Sequence, residues 1–321
     1  MTEKGKFIKA LKHEPIDGHV PHFELVFYLT MEVLGKVHPE HRSMHQWKQM
    51  SLREKEMQLQ DAASCFIDIA RMYNHSAIFV HPCVNEFDAV RRLLEIIRER
   101  TEDEYFLMMH GDPTYGIPSG EDILEFSTKL YEEPELLHTN AKYQTDECLE
   151  NAQRFANTGL LDGFGLCSDY CFNRNPFLSP DMFSEFVTPY LKSVITGYRE
   201  MSFYSIKHTD GNIMPIIDQI IDCKPDALHS LDPQAGVDLK LVKERYGKQV
   251  CLIGNVNCGL LQTGTDEQVR QDVLRSLRDG MPGYGYIFST SNCVYTGLQL
   301  ERYELIHSIW REHGVYSRKG D

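Results

Sequence analysis

The chain has 321 residues and 42% hydrophobic content, ordinary for a globular protein and enough for a sizeable core. It carries 33 Lys and Arg against 47 Asp and Glu, a net charge of −14. That balance argues against a broad nucleic-acid footprint or attraction to an anionic membrane surface. No apolar run reaches the roughly 20 residues of a membrane span. The stretch from Met1 to Lys6 leads into an amphipathic helix and not an apolar signal segment. The nine Cys are scattered, with no C-x-x-C pair, so free thiols in a reducing cytoplasm are expected.

Phe7, Ile8 and Leu11 share a helix face, so an N-terminal helix is expected to end near Pro15. Val20–Phe27 reads as a first strand, with Glu24 near its end. A polar-faced helix is expected from Met44 to about Ala63. Ser76–Val80 is a second strand, ending at His81-Pro82-Cys83. Phe87, Val90, Leu93, Leu94 and Ile97 follow the i, i+3, i+4, i+7 rule of an amphipathic helix. Tyr105–Met109 is a third strand, ending at His110. A long helical region from about Gly120 to Asn157 is broken at Pro134. Gly163–Cys167 is a fourth strand, followed by Asp169.

Ser179-Pro180 opens the next helix, with Ser as cap and Pro in the first turn, and Pro189 is expected to kink it. The fifth strand begins at Tyr204 and runs into His208-Thr209-Asp210-Gly211-Asn212. Ala227–Leu231 is a sixth, ending at Asp232-Pro233. Val250–Gly254 is a seventh, ending at Asn255. Thr265 and Gln268 form a capping box for the following helix. Tyr284–Phe288 is an eighth, ending at Ser291-Asn292-Cys293, and a last helix runs from about Gln299 to Glu312.

Eight short apolar strands alternating with helices predict an α/β fold, a (β/α)8 barrel with an N-terminal helical extension. No Gly/Ser/Pro-rich linker divides the chain, so residues 1–321 read as one barrel domain. An open doubly wound sheet is the alternative, weakened because no G-x-G-x-x-G follows the first strand.

In such a barrel the site lies at the C-terminal ends of the strands. Those ends carry Glu24, His81, His110, Asp169, His208 with Asp210, Asp232, Asn255 and Cys293. Each has a plainer reading: loop residues for His81 and His110, turn caps for Asp169 and Asp232, a surface carboxylate for Glu24, a packed thiol for Cys293. His208, Asp210 and Cys293 together offer an imidazole, a carboxylate and a thiolate, a three-ligand set that suits catalytic zinc.

The blocks Leu178-Ser179-Pro180-Asp181-Met182-Phe183-Ser184-Glu185-Phe186-Val187-Thr188-Pro189-Tyr190, His208-Thr209-Asp210-Gly211-Asn212, Ile253-Gly254-Asn255-Val256 and Ser289-Thr290-Ser291-Asn292 resemble the uroporphyrinogen decarboxylase superfamily. The resemblance implies a (β/α)8 barrel and one of two activities. The decarboxylases hold a tetrapyrrole with many carboxylates, using Arg residues in an N-terminal R-x-x-G-R-type segment. Here no Arg precedes Arg42, and neither Arg42 nor Arg53 lies in such a segment. The cobalamin-dependent methyltransferases bind zinc through an H-x-C motif and a later Cys. His208 matches that His and Cys293 the later Cys, whereas Asp210 stands in place of the middle Cys.

The resemblance therefore implies a methyltransferase acting with a corrinoid protein, and a cobalamin carried by that partner as methyl acceptor. The methyl donor is expected to be a small methylated compound such as an aromatic methyl ether, making the chain an O-demethylase component. Zinc on His208, Asp210 and Cys293 would polarise the ether oxygen, with Glu24 or Asp169 as fourth ligand or as acid. Asn212 and Asn255 are expected to contact the cofactor, and a homodimer is an expected assembly. The alternatives are a metal-free decarboxylase with Asp169 as central carboxylate, and a non-catalytic tetrapyrrole- or corrinoid-binding protein.

Overall fold

The structure is a computed structural model that describes residues 1–316. Nine strands occur in chain order: β1 Gly18–His19, β2 Ala77–Phe79, β3 Phe106–His110, β4 Gly163–Leu166, β5 Tyr204–Thr209, β6 Ala227–Ser230, β7 Cys251–Val256, β8 Tyr286–Thr290 and β9 Val315–Tyr316. Strands β2 to β8 form one parallel sheet in sequential order. The segment expected as the first strand closes this sheet into a ring. His22 bridges His75 on one side and Phe288 on the other, both in parallel sense. The Phe288 amide donates to Pro21 O at 2.8 Å, and the Ser76 amide to His22 O at 2.6 Å. Pro21 has no N–H to donate, so the eighth barrel position is a short bridge and not a regular strand. Strands β1 and β9 pair antiparallel outside the ring.

The helices fall close to where the sequence puts them. The first covers Glu3–Leu11, and Phe7, Ala10 and Leu11 pack with Phe23, Phe106, Ile206, Ile253 and Ile287. That cluster fills the barrel interior from the end where the strands begin. Leu52–Met72 starts later than expected because Ser51 and Glu54 form a capping box, and two short 3-10 turns precede it. Ile123–Glu132 and Pro134–Ala156 meet at the expected break. Pro180–Phe186 is capped by Ser179, and in place of one kinked helix a second, Thr188–Glu200, begins anew with Pro189 in its first turn. Two further apolar clusters lie between the sheet and these helices.

One group in that outer layer is charged. Along β5, Ile206 and His208 face the interior, while Ser205 and Lys207 face the helices. Lys207 and Asp112 have fully buried side chains and pair at 2.8 Å. The Lys207 ammonium also donates to Ser168 O and lies 4.1 Å from the centre of the Tyr170 ring. Burial alone would push the Asp112 carboxyl up, yet the Lys207 charge and donors from Thr114 and Ser168 hold it below the usual carboxylate range. Removing one partner leaves an unpaired buried charge. Lys207→Met is therefore expected to cost about 3–5 kcal/mol in urea unfolding. Adding Asp112→Asn should restore part of that loss, because the unpaired charge is gone; no recovery in the double variant would refute this account.

Candidate functional site

The strand ends converge as a barrel requires, and one constellation stands out. Ligand atoms of Asp169, His208 and Asp210 all lie within 4.8 Å of one another. His208 Nε2 is 3.8 Å from Asp169 Oδ1 and 3.8 Å from Asp210 Oδ1. Each residue is placed by its local backbone. His208 is the last inward side chain of β5 and is buried. Asp210 lies just past the strand, where its amide donates to Asp169 Oδ1 at 3.0 Å. Its carboxylate is held by Ser230 Oγ at 2.6 Å and by the Asn292 amide. Gly211, at φ +82° and against the Cys171 and Phe172 carbonyls, turns the chain away in a conformation a larger residue could not share.

The electrostatics are those of a crowded anionic pocket. The Asp210 carboxyl is pushed up to about 7, chiefly by burial and further by Asp169 and Asp232. Burial likewise holds His208 below the usual imidazole range, against the pull of Asp169, so its ring is neutral near pH 7. Asp169 is half exposed and open to solvent. The arrangement is short of positive charge: two carboxylates and a neutral imidazole converge, with no cationic side chain among the described residues donating between them. A divalent cation answers such a donor set.

The other residues expected at the site are distributed differently. Cys293 follows Asn292 and is not among the three converging residues. Its thiol is pushed up to about 12 by burial, with Asp210 adding to the effect. Glu24 is buried and accepts from Thr290 N at 3.1 Å, Thr290 Oγ1 at 2.5 Å and Ser289 Oγ at 3.2 Å, with His22 Nε2 at 3.2 Å from its other oxygen. Asn255 turns toward the helix Asp266–Gly280, where its Oδ1 accepts from Arg275 and its amide donates to Leu231 O. Asn212 donates to Arg174 O and accepts from Met214 N, so it shapes the loop after β5. Asp232 caps a 3-10 turn through Gln234 N. His81 pairs with Glu40 at 3.6 Å, and Glu40 also accepts from Tyr28 at 2.7 Å. His110 is exposed beside a cavity of about 810 Å³ that runs to Glu147 and Arg154 and does not include the three converging residues.

His229 is the residue that sequence reasoning missed. Its Nδ1 lies 2.7 Å from His208 Nδ1, and its Nε2 lies 3.3 Å from Ser289 Oγ. It pairs with His208 in register across β5 and β6. A histidine inside a short buried strand, next to Ser230, was the available signal.

Comparisons with known proteins bear on the chain as a whole. Residues 113–313 match the family described as Uroporphyrinogen decarboxylase (URO-D). The chain is 25% identical over 213 residues to "Uroporphyrinogen decarboxylase" of Neisseria meningitidis serogroup C (strain 053442), covering 61% of this chain and 54% of that protein. It is 25% identical over 236 residues to the protein of the same name from Shewanella pealeana, covering 68% and 62%. The chain thus spans little more than half the length of these curated relatives. Among solved structures, a methyltransferase from Methanosarcina mazei superposes with a TM-score of 0.73 over 97% of this chain and 99% of that one, at 17% identity. A GH5_18 protein from Bifidobacterium longum subsp. infantis gives 0.50 at 10% identity, over 93% and 79%. Both likenesses are of fold. The family match takes in more than half of the residues, including Asp169, His208, Asp210, His229 and Ser289, and the chain belongs to the uroporphyrinogen decarboxylase family.

Proposed function

We propose that this chain is a methyltransferase that moves a methyl group from a small methylated compound, such as an aromatic methyl ether, to the corrinoid of a partner protein. The observation that carries the reading is the convergence of Asp169, His208 and Asp210 within 4.8 Å at the barrel mouth. This donor set fits zinc: one imidazole nitrogen and two carboxylate oxygens are ordinary zinc ligands, and three protein ligands leave a position open. A cation there would also offset the cost of burying the Asp210 carboxylate, the chief cause of its raised value. Zinc held by these residues would supply Lewis acidity at the ether oxygen, stronger than in a thiolate-rich site.

The chain's own residues supply the rest. Ser230 and Asn292 orient the Asp210 carboxylate, and the Asp210 amide orients Asp169. Methyl loss leaves an oxygen anion that needs a proton. Solvent reaches the cluster on its Asp169 side, where that side chain is half exposed, and can supply one. Cys293 and Asn292 lie on the loop after β8, next to Asp210 in space, so Cys293 adjoins the site without joining the three ligands. The tetrapyrrole-decarboxylating alternative rests on the names of the curated relatives. Against it stands the charge of the site: Asp210 is already crowded by Asp169 and Asp232, an unfavourable setting for a substrate with many carboxylates.

Elemental analysis of the purified chain should find about one zinc per chain, the stoichiometry of a single three-ligand site. His208→Ala and Asp210→Ala should lose it and Cys293→Ser should keep it; a metal-free wild type would sink the zinc reading. Methyl transfer from an aromatic methyl ether to cob(I)alamin, followed by the visible spectrum of the corrinoid, should fall about 10³-fold in His208→Ala. Release of carbon dioxide from uroporphyrinogen, with no methyl transfer to cob(I)alamin from any methylated donor, would favour the decarboxylase instead.

A further inference from the structure

Buried side chains run in an unbroken line from the closing segment of the barrel to the cluster: Glu24, Ser289, His229 and His208, each at most 4% exposed. The polarity of this line follows from its far end. His22 Nδ1 lies 2.9 Å from Tyr73 O, and its Nε2 lies 3.2 Å from Glu24 Oε1 and 3.3 Å from the Tyr303 hydroxyl. Glu24 Oε2 accepts from the Thr290 amide, a group that can only donate. With the Thr290 hydroxyl also donating to Oε2, this oxygen of Glu24 is the acceptor end of the line. The Ser289 hydroxyl, 3.2 Å away, donates to it. Having spent its single hydrogen, Ser289 Oγ accepts from His229 Nε2–H. A neutral His229 protonated at Nε2 has a bare Nδ1, which accepts from His208 Nδ1–H at 2.7 Å. That leaves His208 Nε2 without hydrogen, and it is this atom that faces Asp169 and Asp210.

We infer that His229 and Ser289 are positioning residues: with Glu24 they fix His208 in the tautomer whose bare Nε2 is offered to a divalent cation at the Asp169–His208–Asp210 cluster. Each link constrains the next, since neither Ser289 nor a neutral His229 has a second hydrogen to give. The alternative tautomer of His208 would set two bare nitrogens face to face across 2.7 Å and leave a buried acceptor unpaired, a costly arrangement. Partners of this kind hold a ligating imidazole in orientation, and their loss commonly weakens metal binding 10- to 100-fold. The inference deepens the zinc reading and rests on it for the identity of the ion, but not for the orientation of the ring.

Two measurements on the full chain test it separately from the function. Imidazole 15N spectra of the metal-free protein should show His208 protonated at Nδ1 and bare at Nε2. Chelator competition with Zn²⁺ should show about 10- to 100-fold weaker binding in His229→Phe. His229→Gln should stay near the wild type, since its side-chain oxygen accepts from His208 and its amide donates to Ser289. Ser289→Ala should fall between. A wild-type His208 protonated at Nε2 would overturn the inference, as would a His229→Phe protein with unchanged tautomer and unchanged zinc affinity. If the wild type binds no zinc but shows the expected tautomer, and Ser289→Ala or His229→Phe disturbs it, the zinc reading fails while the positioning line stands. Should His229→Phe not fold, the wild-type spectrum and Ser289→Ala still decide.

Discussion

The alternation of side chains along β5 is the constraint on which the site depends. Consecutive residues of a strand point to opposite faces, so Lys207 and His208 cannot both face the barrel interior. Lys207 is fixed toward the helix layer by its buried pairing with Asp112 and its position over the Tyr170 ring. That commits His208 to the interior. A slip of one residue would bring an ammonium into the barrel and send an imidazole among the helices, stranding the Asp112 charge. The ion pair thus acts less as a source of net stability than as a statement of register. Its anchorage to Ser168 also ties the loop carrying Asp169 to the strand carrying His208.

From that register the remaining geometry follows in short steps. Parallel pairing of β5 with β6 sets His229 beside His208. Closure of the ring by the segment around His22 brings Glu24 against β8, where the amide of Thr290 and the hydroxyls of Ser289 and Thr290 receive it. The buried polar groups at this end of the barrel are satisfied by one another, as a low-dielectric interior demands. At the end of this network two carboxylates and His208 Nε2 face each other, with no cationic side chain among the described residues between them.

The architecture was legible because its signals are local. Seven of the eight expected strands form, and breaks at Pro134 and Pro189, the Ser179 cap and the Thr265 capping box fall where side-chain chemistry requires them. The resemblance to the uroporphyrinogen decarboxylase superfamily likewise agrees with the family match. The first strand failed as a regular strand because its pairing is confined to separate bridges at His22 and Phe27, with no donor at Pro21. Strand ends are marked by the polar residues that follow apolar runs, and Asp169, His208 and Asp210 are all recognisable there as candidates. Which of the candidates converge is not written locally, because convergence depends on register and on loops. Asn255 shows why: Gly254, at φ +130°, breaks the alternation, and the Asn side chain goes to Arg275 and not to the mouth. His229 shows the converse. It sits in plain view inside a strand, but its importance depends on which residue pairs with it.

The helix Glu3–Leu11 has a bearing on traffic. Phe7, its ring centre 4.6 Å from that of Phe106 and edge-on to Phe23, stoppers the barrel at the end where the strands begin. A stoppered vessel has one door. Whatever reaches the Asp169–His208–Asp210 cluster must arrive and leave by the same opening, so the donor and the partner-borne acceptor of the proposed reaction would not pass through from opposite sides. They would take turns or share the doorway, and the kinetics of the proposed reaction would carry the signature of that queue.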